Sequence, residues 1–569
     1  MIEKISIVSK IKNYEIDLKE YIELNSYELK KKYLDLVNDL SNIKINKKKL
    51  KDHYSYCNNH SLWEMSLIAE KNTLKSNKIF SVIKFIACLK IIKKFHNKKI
   101  ILTLYDYDLQ KSLKNLNKKN LIFINYIKKN EDYLYHLKTL IKITKFITVN
   151  FFLNKKKSNY SNFRNTDVLI LSYFSHFKIK SKNFISITWS GISKIISKRI
   201  SWVYIFFENK NFKKRNDLLK NKFYHIKNIE FIYDFLSAKI LIKAFLSYFK
   251  YLFKYSFILK NILKVQNIYI KNLIQIQDSD FKESFYGYNL FLNLVWINLF
   301  DSFLSKISNK KIGLYLFENQ NWEKAFVVSW KNNNHGKLVG YISTTINFWH
   351  LNYYHSPNSY RTNNQKFSPD LILSNSHIKS LELKKFNYYN FKINEVESLR
   401  YNYLQHSQIK KKIILSNNNL VFLSGVIDEI NQSFLDFFNS YQKVNIGSKL
   451  FVRPHPASNF FYRKDLIEKY NYQIVTSDVP GLANRFDKII CCSSTSIGIE
   501  FLSLGIDIMI FDSNISLDLS PYKGFDLFYL KRIEQIDQFR HSQSRTKKFR
   551  KFFFYGDNLK KWKSCLRII

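Results

Sequence analysis

Short apolar runs alternate with helical stretches in the last third of the chain, and this alternation constrains the fold more than any other feature. A run at 420–426 (LVFLSGV) leads into Gly425 and is followed by an acidic-capped helical stretch at 428–441. The series continues with runs at 449–453, 472–476, 487–491 and 508–511, and with a helical stretch at 495–504. Continuous apolar runs are typical of strands buried on both faces, so this part predicts a parallel, doubly wound sheet.

The middle of the chain shows the same pattern. Apolar runs occur at 167–173, 185–189, 201–207, 312–317, 338–342 and 370–374. Helical stretches separate several of them, so we predict a second sheet of the same kind. Residues 1–165 are expected to be mainly helical, with one strand at 100–105. The predicted fold class is therefore α/β, with two Rossmann-like domains and an extra, mainly helical N-terminal region.

The 569 residues divide where the pattern changes. We predict a helical region at 1–165, a Rossmann-like domain at 166–410 with a helical insertion at 229–300, a second Rossmann-like domain at 411–540, and a C-terminal helix within 541–569 that can cross back. The basic run at 410–412 marks the surface linker between the two Rossmann-like domains.

The net charge of the chain is +47, from 92 Lys and Arg against 45 Asp and Glu. Such an excess would suit nucleic acid, because release of counterions from phosphates favours any strongly basic surface. Lys, Asn, Ile, Phe and Tyr are also the residues of A/T-rich codons, so genome bias explains part of the excess. The chain shows no zinc finger, no RNP-type aromatic motif and no compact basic recognition helix. We therefore expect no nucleic-acid partner and keep that class only as an alternative.

Lysines cluster on two helical stretches. In 229–262 they recur at spacings of four, seven and four, on one side of a helix: Lys239, Lys243, Lys250 and Lys254. In 137–149 they are Lys138, Lys142 and Lys145. Helices of this kind can lie on an anionic membrane surface. The alternative is two ordinary helices whose apolar side faces the core.

No apolar run reaches the about 18 residues that a membrane-spanning helix needs. The N-terminus mixes acidic and basic residues and lacks the apolar segment of a secretory signal. The five cysteines form neither a disulfide framework nor a CxxC metal pair. We expect a cytoplasmic protein that can attach peripherally to the inner face of the plasma membrane.

The motif RPHP (453–456) begins at the last residue of the run at 449–453. Its two prolines restrict the turn and hold His455 at the carboxyl end of a predicted strand, where open α/β sheets bind their ligands. An imidazole placed there can donate to a phosphate oxygen, and Arg453 can do so with its planar guanidinium group. The alternative for His455 is a structural histidine in a stiff turn.

A cluster of hydroxyl side chains follows the predicted strand at 487–491 and leads into a helix (SSTSIGIE, 493–500). Hydroxyls at a helix start can bind an anion, although they also cap helices for structural reasons. We predict that Glu500 accepts hydrogen bonds from ribose hydroxyls; its alternative is an exposed helix acid. The predicted donor-binding set is Gly425, Arg453, His455, Ser493, Ser494, Thr495, Ser496 and Glu500.

These residues resemble the nucleotide-binding domain of glycosyltransferases with the two-Rossmann GT-B architecture. In that superfamily an acidic residue at the place of Glu500, five positions before a glycine (here Gly505), holds the donor ribose. The His-Pro pair and the Ser/Thr cluster are similar to those of sialyltransferase-like and polyol-phosphate transferase branches. The usual Lys-Pro-Val after the glycine is Ile-Asp-Ile at 506–508 here. The resemblance implies two domains facing a cleft.

Segments over nearly the whole chain resemble a bacterial family of surface carbohydrate biosynthesis proteins. They are Ser61–Ser76, Leu314–Trp330, Gly336–Pro357, Pro369–Ser376, Val396–Tyr401 and Phe552–Trp562. Members of that family carry Gln-His where this chain has Ile342 and Ser343, so a role of that histidine does not transfer.

The run at 312–317 ends in the best acceptor-side candidates. Glu318 would lie at the edge of the cleft, and transfer needs a base that removes the proton of the acceptor hydroxyl. We predict Glu318 as the first candidate and Glu323 as the second, with His455 as a further catalytic residue. Asn319, Gln320 and Trp322 would bind the acceptor sugar. The alternative is a helix-start acid paired with a lysine.

We therefore predict a glycosyltransferase of surface polysaccharide or lipopolysaccharide biosynthesis that joins a nucleotide-activated sugar to a glycan or lipid-linked acceptor. The nearby histidines have no spacing specific for metal, so a metal-independent site without a cofactor is expected. The alternatives are a CDP-polyol phosphotransferase of the same fold, a basic nucleic-acid-binding protein and a non-catalytic scaffold.

Overall fold

Three main β-sheets organise the chain. The computed structural model describes residues 3–8, 13–116, 120–124, 134–153, 160–174, 177–180, 183–196, 200–206, 229–262, 267–356, 358–359, 364–386, 392–407, 419–513 and 517–566. We call the sheets N-terminal, central and C-terminal, in chain order.

The central sheet has seven strands, all parallel. In spatial order they are Ile229–Phe231, Ile200–Ile205, Val168–Tyr173, Ile312–Leu316, Lys337–Ile342, Leu371–Ser374 and Ile393–Glu395. Every residue of Val168–Tyr173 and of Ile312–Leu316 is buried, which explains their continuous apolar sequence. The predicted strands at 167–173, 201–207, 312–317, 338–342 and 370–374 are confirmed.

The strand predicted at 185–189 is wrong. Asn183–Ser186 pairs antiparallel with Phe177–Lys180, outside the central sheet, and the chain then turns so that Trp189 enters the core. The sequence ISITW alternates apolar and hydroxyl residues, which is the pattern of a hairpin strand and not of a strand buried on both faces. The two short edge strands, Ile229–Phe231 and Ile393–Glu395, were not predicted.

The C-terminal sheet has six parallel strands. In spatial order they are Tyr472–Ile474, Lys449–Arg453, Asn419–Leu423, Lys488–Cys492, Met509–Phe511 and Phe528–Leu530. The five strands predicted from the sequence are confirmed, and only the last, which has three residues, is additional. In chain order the sheet runs 3-2-1-4-5-6, the order of dinucleotide-binding folds.

The N-terminal sheet corrects the expectation of one strand in a helical region. Its four strands are, in spatial order, Tyr14–Asp17, Lys4–Val8, Lys99–Thr103 and Leu121–Ile124. Only the third, Lys99–Thr103, overlaps a strand predicted from the sequence, the one at 100–105. The two strands near the chain start carry charged residues that mask the alternation of the buried Ile5 and Ile7.

Helices cover the sheets on both sides. Those of the N-terminal region are Leu18–Leu24, Ser26–Asn42, Leu50–His53, Leu67–Glu70, Lys78–Lys94, Tyr107–Lys114 and Tyr135–Leu153. Those of the central part are Ile192–Ile195, Ala238–Ile262, Ile268–Ile276, Asp278–Phe285, Tyr288–Leu304, Asn321–Asn332 and His377–Lys385. Those of the C-terminal part are Asp428–Val444, Lys464–Tyr470, Val479–Arg485, Ile497–Ser503, Gln535–Gln538, Gln543–Lys547 and Lys560–Leu566. Within the ranges given above, none of the helices combines the length and the apolar character that crossing a bilayer takes.

Both ends of the chain connect the parts of the molecule. The last helix, Lys560–Leu566, packs on the central sheet, where the ring of Trp562 lies 4.8 Å from that of Tyr341. Near the chain start, the Lys19 ammonium pairs with Asp512 at 2.8 Å, at the carboxyl end of a strand of the C-terminal sheet. The N-terminal region therefore contacts the C-terminal part directly.

Candidate functional site

The strand order of the C-terminal sheet reverses between Asn419–Leu423 and Lys488–Cys492. Open α/β sheets bind ligands in the crevice at such a point, beyond the carboxyl ends of the strands. Gly425 follows the first strand and Ser494 follows the second. A Cβ atom on Gly425 would lie 2.1 Å from the Ser494 Oγ, so the two loops can approach this closely only because residue 425 is glycine.

His455 is held at the same edge by two hydrogen bonds. Its backbone N–H donates to Ser424 Oγ at 2.8 Å, and its Nδ1 accepts the backbone N–H of Ala457 at 3.1 Å. Since Nδ1 is an acceptor, the proton of the neutral ring is on Nε2. Burial lowers the pKa of His455, and the positive charges of Arg400 and Arg453 lower it further. The residue is therefore a neutral Nε2–H donor.

The hydroxyl cluster at 493–496 is only partly accessible. Ser493 and Thr495 are buried, and the carbonyl of Thr495 accepts the Tyr522 hydroxyl at 3.0 Å. Ser494 and Ser496 are half-buried. Two of the four hydroxyl residues, and not all four, lie where a ligand could reach them.

Glu500 lies in a positively charged environment. The Tyr403 hydroxyl donates a hydrogen bond to its carboxylate. Burial raises the pKa of Glu500, while this hydrogen bond and the charges of Arg400 and Arg453 act against the rise. The predicted alternative, an isolated surface acid, does not describe this environment.

The central sheet has its own reversal of strand order, between Val168–Tyr173 and Ile312–Leu316. Tyr173 ends the first strand, and Glu318 follows the second. The two side chains interact there, and burial raises the pKa of Glu318. Gln320 Nε2 donates to the Glu318 carboxylate at 2.6 Å. Both crevices of the molecule therefore carry residues that the sequence singles out.

Glu323 does not point toward a ligand. Its carboxylate accepts the backbone N–H of Glu318 at 3.0 Å and that of Asn319 at 2.8 Å, and its side chain is buried. This bonding fixes the turn before the helix Asn321–Asn332, in which Asn319 has a φ of 58°. Glu323 is placed to hold Glu318 and not to act as the second base that the sequence suggested.

Two of the predicted acceptor-binding residues are also used internally. Trp322 is buried, with its Nε1 donating to the Tyr173 hydroxyl at 3.0 Å. Asn319 is 2% exposed and donates to the Asn352 carbonyl. Neither side chain offers a surface to a sugar ring, because both pack into the core beneath the strand end. Gln320 is the acceptor-side residue that remains partly exposed.

Arg400 lies near the predicted site residues but was not itself predicted from the sequence. Its positive charge acts on Glu318 at the central crevice and on both His455 and Glu500 at the C-terminal crevice. Arg400 therefore acts electrostatically on residues at the carboxyl edges of both sheets. An arginine among the buried Val396, Leu399 and Tyr401 is the signal that could have revealed it.

The departure at 506–508 has a structural explanation. Asp507 is 2% exposed, and its carboxylate accepts Arg545 Nε at 2.7 Å and the backbone N–H of Ser542 at 2.9 Å. Asp507 therefore anchors the returning C-terminal segment.

Ile342 and Ser343 are buried at the end of their strand. Among the residues placed in the structure, no group of His, Cys, Asp and Glu could hold a metal ion.

The strand orders make this chain an α/β protein with two Rossmann-like parallel sheets, as expected for a GT-B-like fold. No family model matches the sequence, and neither does any curated protein. It is similar to the UDP-GlcNAc 2-epimerase of Methanocaldococcus jannaschii in complex with UDP-GlcNAc and UDP, at 10% identity over 70% of this chain and 98% of that one, with a TM-score of 0.37.

Two further solved structures are similar to it. MurG of Acinetobacter baumannii is 9% identical over 70% of this chain and 99% of that one, with a TM-score of 0.35. The glycotransferase of kitacinnamycin is 10% identical over 68% and 94%, with a TM-score of 0.34. At these TM-scores the fold assignment rests on the strand order of the two sheets.

Proposed function

We propose that the protein is a glycosyltransferase that binds a nucleotide-activated sugar at the C-terminal crevice and an acceptor at the central crevice. One observation supports the proposal most strongly. Arg400 acts electrostatically on Glu318, at the strand reversal of the central sheet, and on His455, at the carboxyl edge of the C-terminal sheet.

The donor phosphates would lie beside Arg453, His455 and Arg400. Two guanidinium groups and an Nε2–H match the charge and the acceptor geometry of a diphosphate. The half-buried hydroxyls of Ser494 and Ser496 would add weaker donors. Glu500 would accept a ribose hydroxyl, in place of or beside the hydrogen bond from Tyr403.

Glu318 would act as the general base. The acceptor hydroxyl oxygen attacks the anomeric carbon of the donor sugar, and the bond from that carbon to the phosphate oxygen breaks. The phosphate leaves with the bonding electrons, and the hydroxyl proton passes to Glu318. The cations around the phosphate stabilise the charge that develops on the leaving group. The raised pKa of Glu318 suits a base that must take up a proton.

We also propose that the acceptor is a glycan or a lipid-linked molecule of surface polysaccharide or lipopolysaccharide biosynthesis. This part is supported by the resemblance of the sequence segments to the surface carbohydrate family, and the assignment to that family stays a hypothesis.

A thermal-shift screen tests the proposed donor class. UDP-, GDP- and CMP-sugars and CDP-glycerol are added separately to the full chain, and the midpoint of unfolding is measured. We expect one nucleotide to raise the midpoint, because a ligand that binds only the folded state stabilises it. A shift with CDP-glycerol alone would support the polyol phosphotransferase. No shift with any nucleotide would contradict the proposed function.

A further inference from the structure

Two long helices share one packing partner in the central part. The helices Tyr135–Leu153 and Ala238–Ile262 both pack against the helix Tyr288–Leu304. The ring of Phe146, from the first, lies 5.8 Å from that of Phe291, and the ring of Tyr248, from the second, lies 6.4 Å from the same ring. Their core-facing sides are therefore already occupied.

Their outward sides also carry apolar side chains. On the second helix Ile242, Leu246 and Phe253 are 60%, 65% and 75% exposed, at spacings of four and seven residues that place them in one stripe. On the first helix Leu137 and Ile141 are 55% and 57% exposed. Exposed apolar stripes of this size need a partner, since single exposed residues are common but contiguous ones are not.

Lysines border both stripes. Lys239, Lys243 and Lys250 are exposed beside the stripe of the second helix, and Lys142 and Lys145 are exposed on the first. Neither helix contains an Asp or Glu, although the chain has 45 of them. We call the outward sides of these two helices the basic apolar face.

Lys254 is not part of this face, which corrects the four-lysine stripe that the sequence suggested. Its ammonium group donates to the carbonyl of His53. Burial lowers the pKa of Lys254. The helix turns this lysine toward the N-terminal region, so only three of the four lysines remain on the face.

The positive charge extends beyond the helix. Lys239 and Lys243 also line an open cleft of about 660 Å³, which Lys306 borders from another helix. The other lining groups include the amides of Asn58, Asn298 and Asn332 and the carboxylate of Asp301, which pairs with His60 at 3.1 Å. The cleft could receive anionic head groups next to the apolar stripe.

We infer that the basic apolar face docks the protein on the surface of an anionic lipid bilayer. The exposed apolar side chains would enter the interface between head groups and acyl chains, and the lysines beside them would contact lipid phosphates. A nucleic acid would match the lysines but leave the apolar stripes uncovered. The inference is independent of the transfer reaction proposed above.

Vesicle co-sedimentation tests this inference. The full chain is mixed with vesicles of phosphatidylcholine alone, and with vesicles that also contain phosphatidylglycerol. We expect binding to the anionic vesicles only. Replacing Lys239, Lys243 and Lys250 together by Gln should weaken the partition coefficient on the order of a hundredfold. Replacing Leu246 and Phe253 by Ser should weaken it on the order of tenfold.

Matched control variants test whether the loss of vesicle binding is specific to the basic apolar face. They remove the same charge, or a similar exposed apolar area, from another part of the molecule. Replacing the exposed Lys443, Lys464 and Lys531 by Gln removes the same charge from the C-terminal part, and should change the partition less than about twofold. Replacing Val444 and Ile446, which are 70% and 91% exposed, by Ser is the control for the apolar pair. Circular dichroism checks that each variant folds.

The following outcomes would overturn the inference. They are no binding of the wild-type chain to anionic vesicles, equal losses in the face variants and in their controls, and binding to single-stranded RNA that the lysine variant loses while vesicle binding is absent. Conversion of a dimer to a monomer by the apolar variant, without vesicle binding, would also assign the face to a second copy and not to lipid.

Discussion

Glu318 and Glu323 are five residues apart, and their surroundings give them different tasks. Glu318 meets one amide and the Tyr173 hydroxyl at the cleft, whereas the carboxylate of Glu323 is occupied by backbone N–H groups. Burial and the charge of Glu318 raise the pKa of Glu323 to about 8, but the buried carboxylate of Glu323 holds the turn and is not presented to a substrate. The two residues are therefore distinguishable by experiment.

Replacing Glu318 by Gln should lower kcat about 10²- to 10⁴-fold, the usual contribution of a general base. The nucleotide affinity should change little, because the proposed donor site is formed by residues of the C-terminal sheet and not by Glu318. Steady-state kinetics and calorimetry measure the two quantities. The matched change, Glu323 to Gln, should instead lower the free energy of unfolding by about 1–3 kcal/mol, because one acceptor oxygen is lost. The assignment is refuted if the Glu318 variant keeps full turnover.

The pH dependence of the reaction follows from the raised pKa of Glu318. A base must be ionised, so kcat/KM should rise as the pH increases through this pKa, and the acid limb should lie above pH 4.5, the usual pKa of a glutamate. The folded state also holds this proton more tightly than the unfolded state. The free energy of unfolding should therefore fall as the pH rises through the same range. An acid limb at or below pH 4.5 would argue against Glu318.

Gly425 tests how closely the loops of the C-terminal crevice must approach. An Ala at 425 would place its Cβ 2.1 Å from Ser494 Oγ and 2.8 Å from Cys492 Sγ, so we expect a cost of about 1–3 kcal/mol in unfolding free energy. Urea unfolding measures it. Replacing Ser494 by Ala in the same variant removes the nearer clash and should restore part of the stability. A neutral Gly425 to Ala variant would show that the loops lie further apart.

At the scale of elements, strands buried on both faces were predictable, and short or half-exposed ones were not. Val168–Tyr173 and Asn419–Leu423 are continuous apolar runs, whereas Phe528–Leu530 has too few residues to show a pattern. Residues at strand ends, such as His455 and Glu318, could be found because the carboxyl edge of a parallel sheet is a known ligand position. The burial of Trp322 could not, since it depends on packing against other elements.

The pair of Asp507 and Arg545 holds the segment that returns after the last strand. Replacing Arg545 by Ala leaves the buried Asp507 carboxylate without its cation and should cost about 3–5 kcal/mol in unfolding free energy. Chemical denaturation measures the change. The control is Arg463 to Ala, which removes an exposed pair with Asp465 and should leave the midpoint of unfolding nearly unchanged. Equal effects of the two variants would contradict this role.

At the scale of the molecule, contacts between distant parts of the chain set the cleft, and these were beyond the sequence. Arg400 belongs to the segment after the central sheet, yet it acts on residues of both sheets. Its place depends on how the sheets face each other, which no local pattern encodes. Glu23, in the N-terminal region, likewise meets the backbone N–H of Asp518 at 2.8 Å and Trp349 Nε1 at 3.2 Å. The domain boundaries stay predictions.

Trp562 tests the contact between the C-terminal helix Lys560–Leu566 and the central sheet. It is fully buried between Trp189 and Tyr341, and its Nε1 donates to the Glu397 carbonyl at 2.8 Å. Replacing it by Ala should cost about 3–5 kcal/mol. Replacing it by Phe keeps most of the packing and should cost less. Thermal unfolding compares the two variants, and equal stability of the Ala variant and the wild type would show that the tail does not dock.

We expect the C-terminal crevice to bind the nucleotide part of an activated sugar through His455. Isothermal titration calorimetry of the nucleotide selected by the screen, into the wild-type chain and into the His455 to Ala variant, measures this binding. The wild type should bind the nucleotide, and the variant should show no detectable binding although it unfolds at an unchanged temperature. Equal affinity in the two proteins would contradict it.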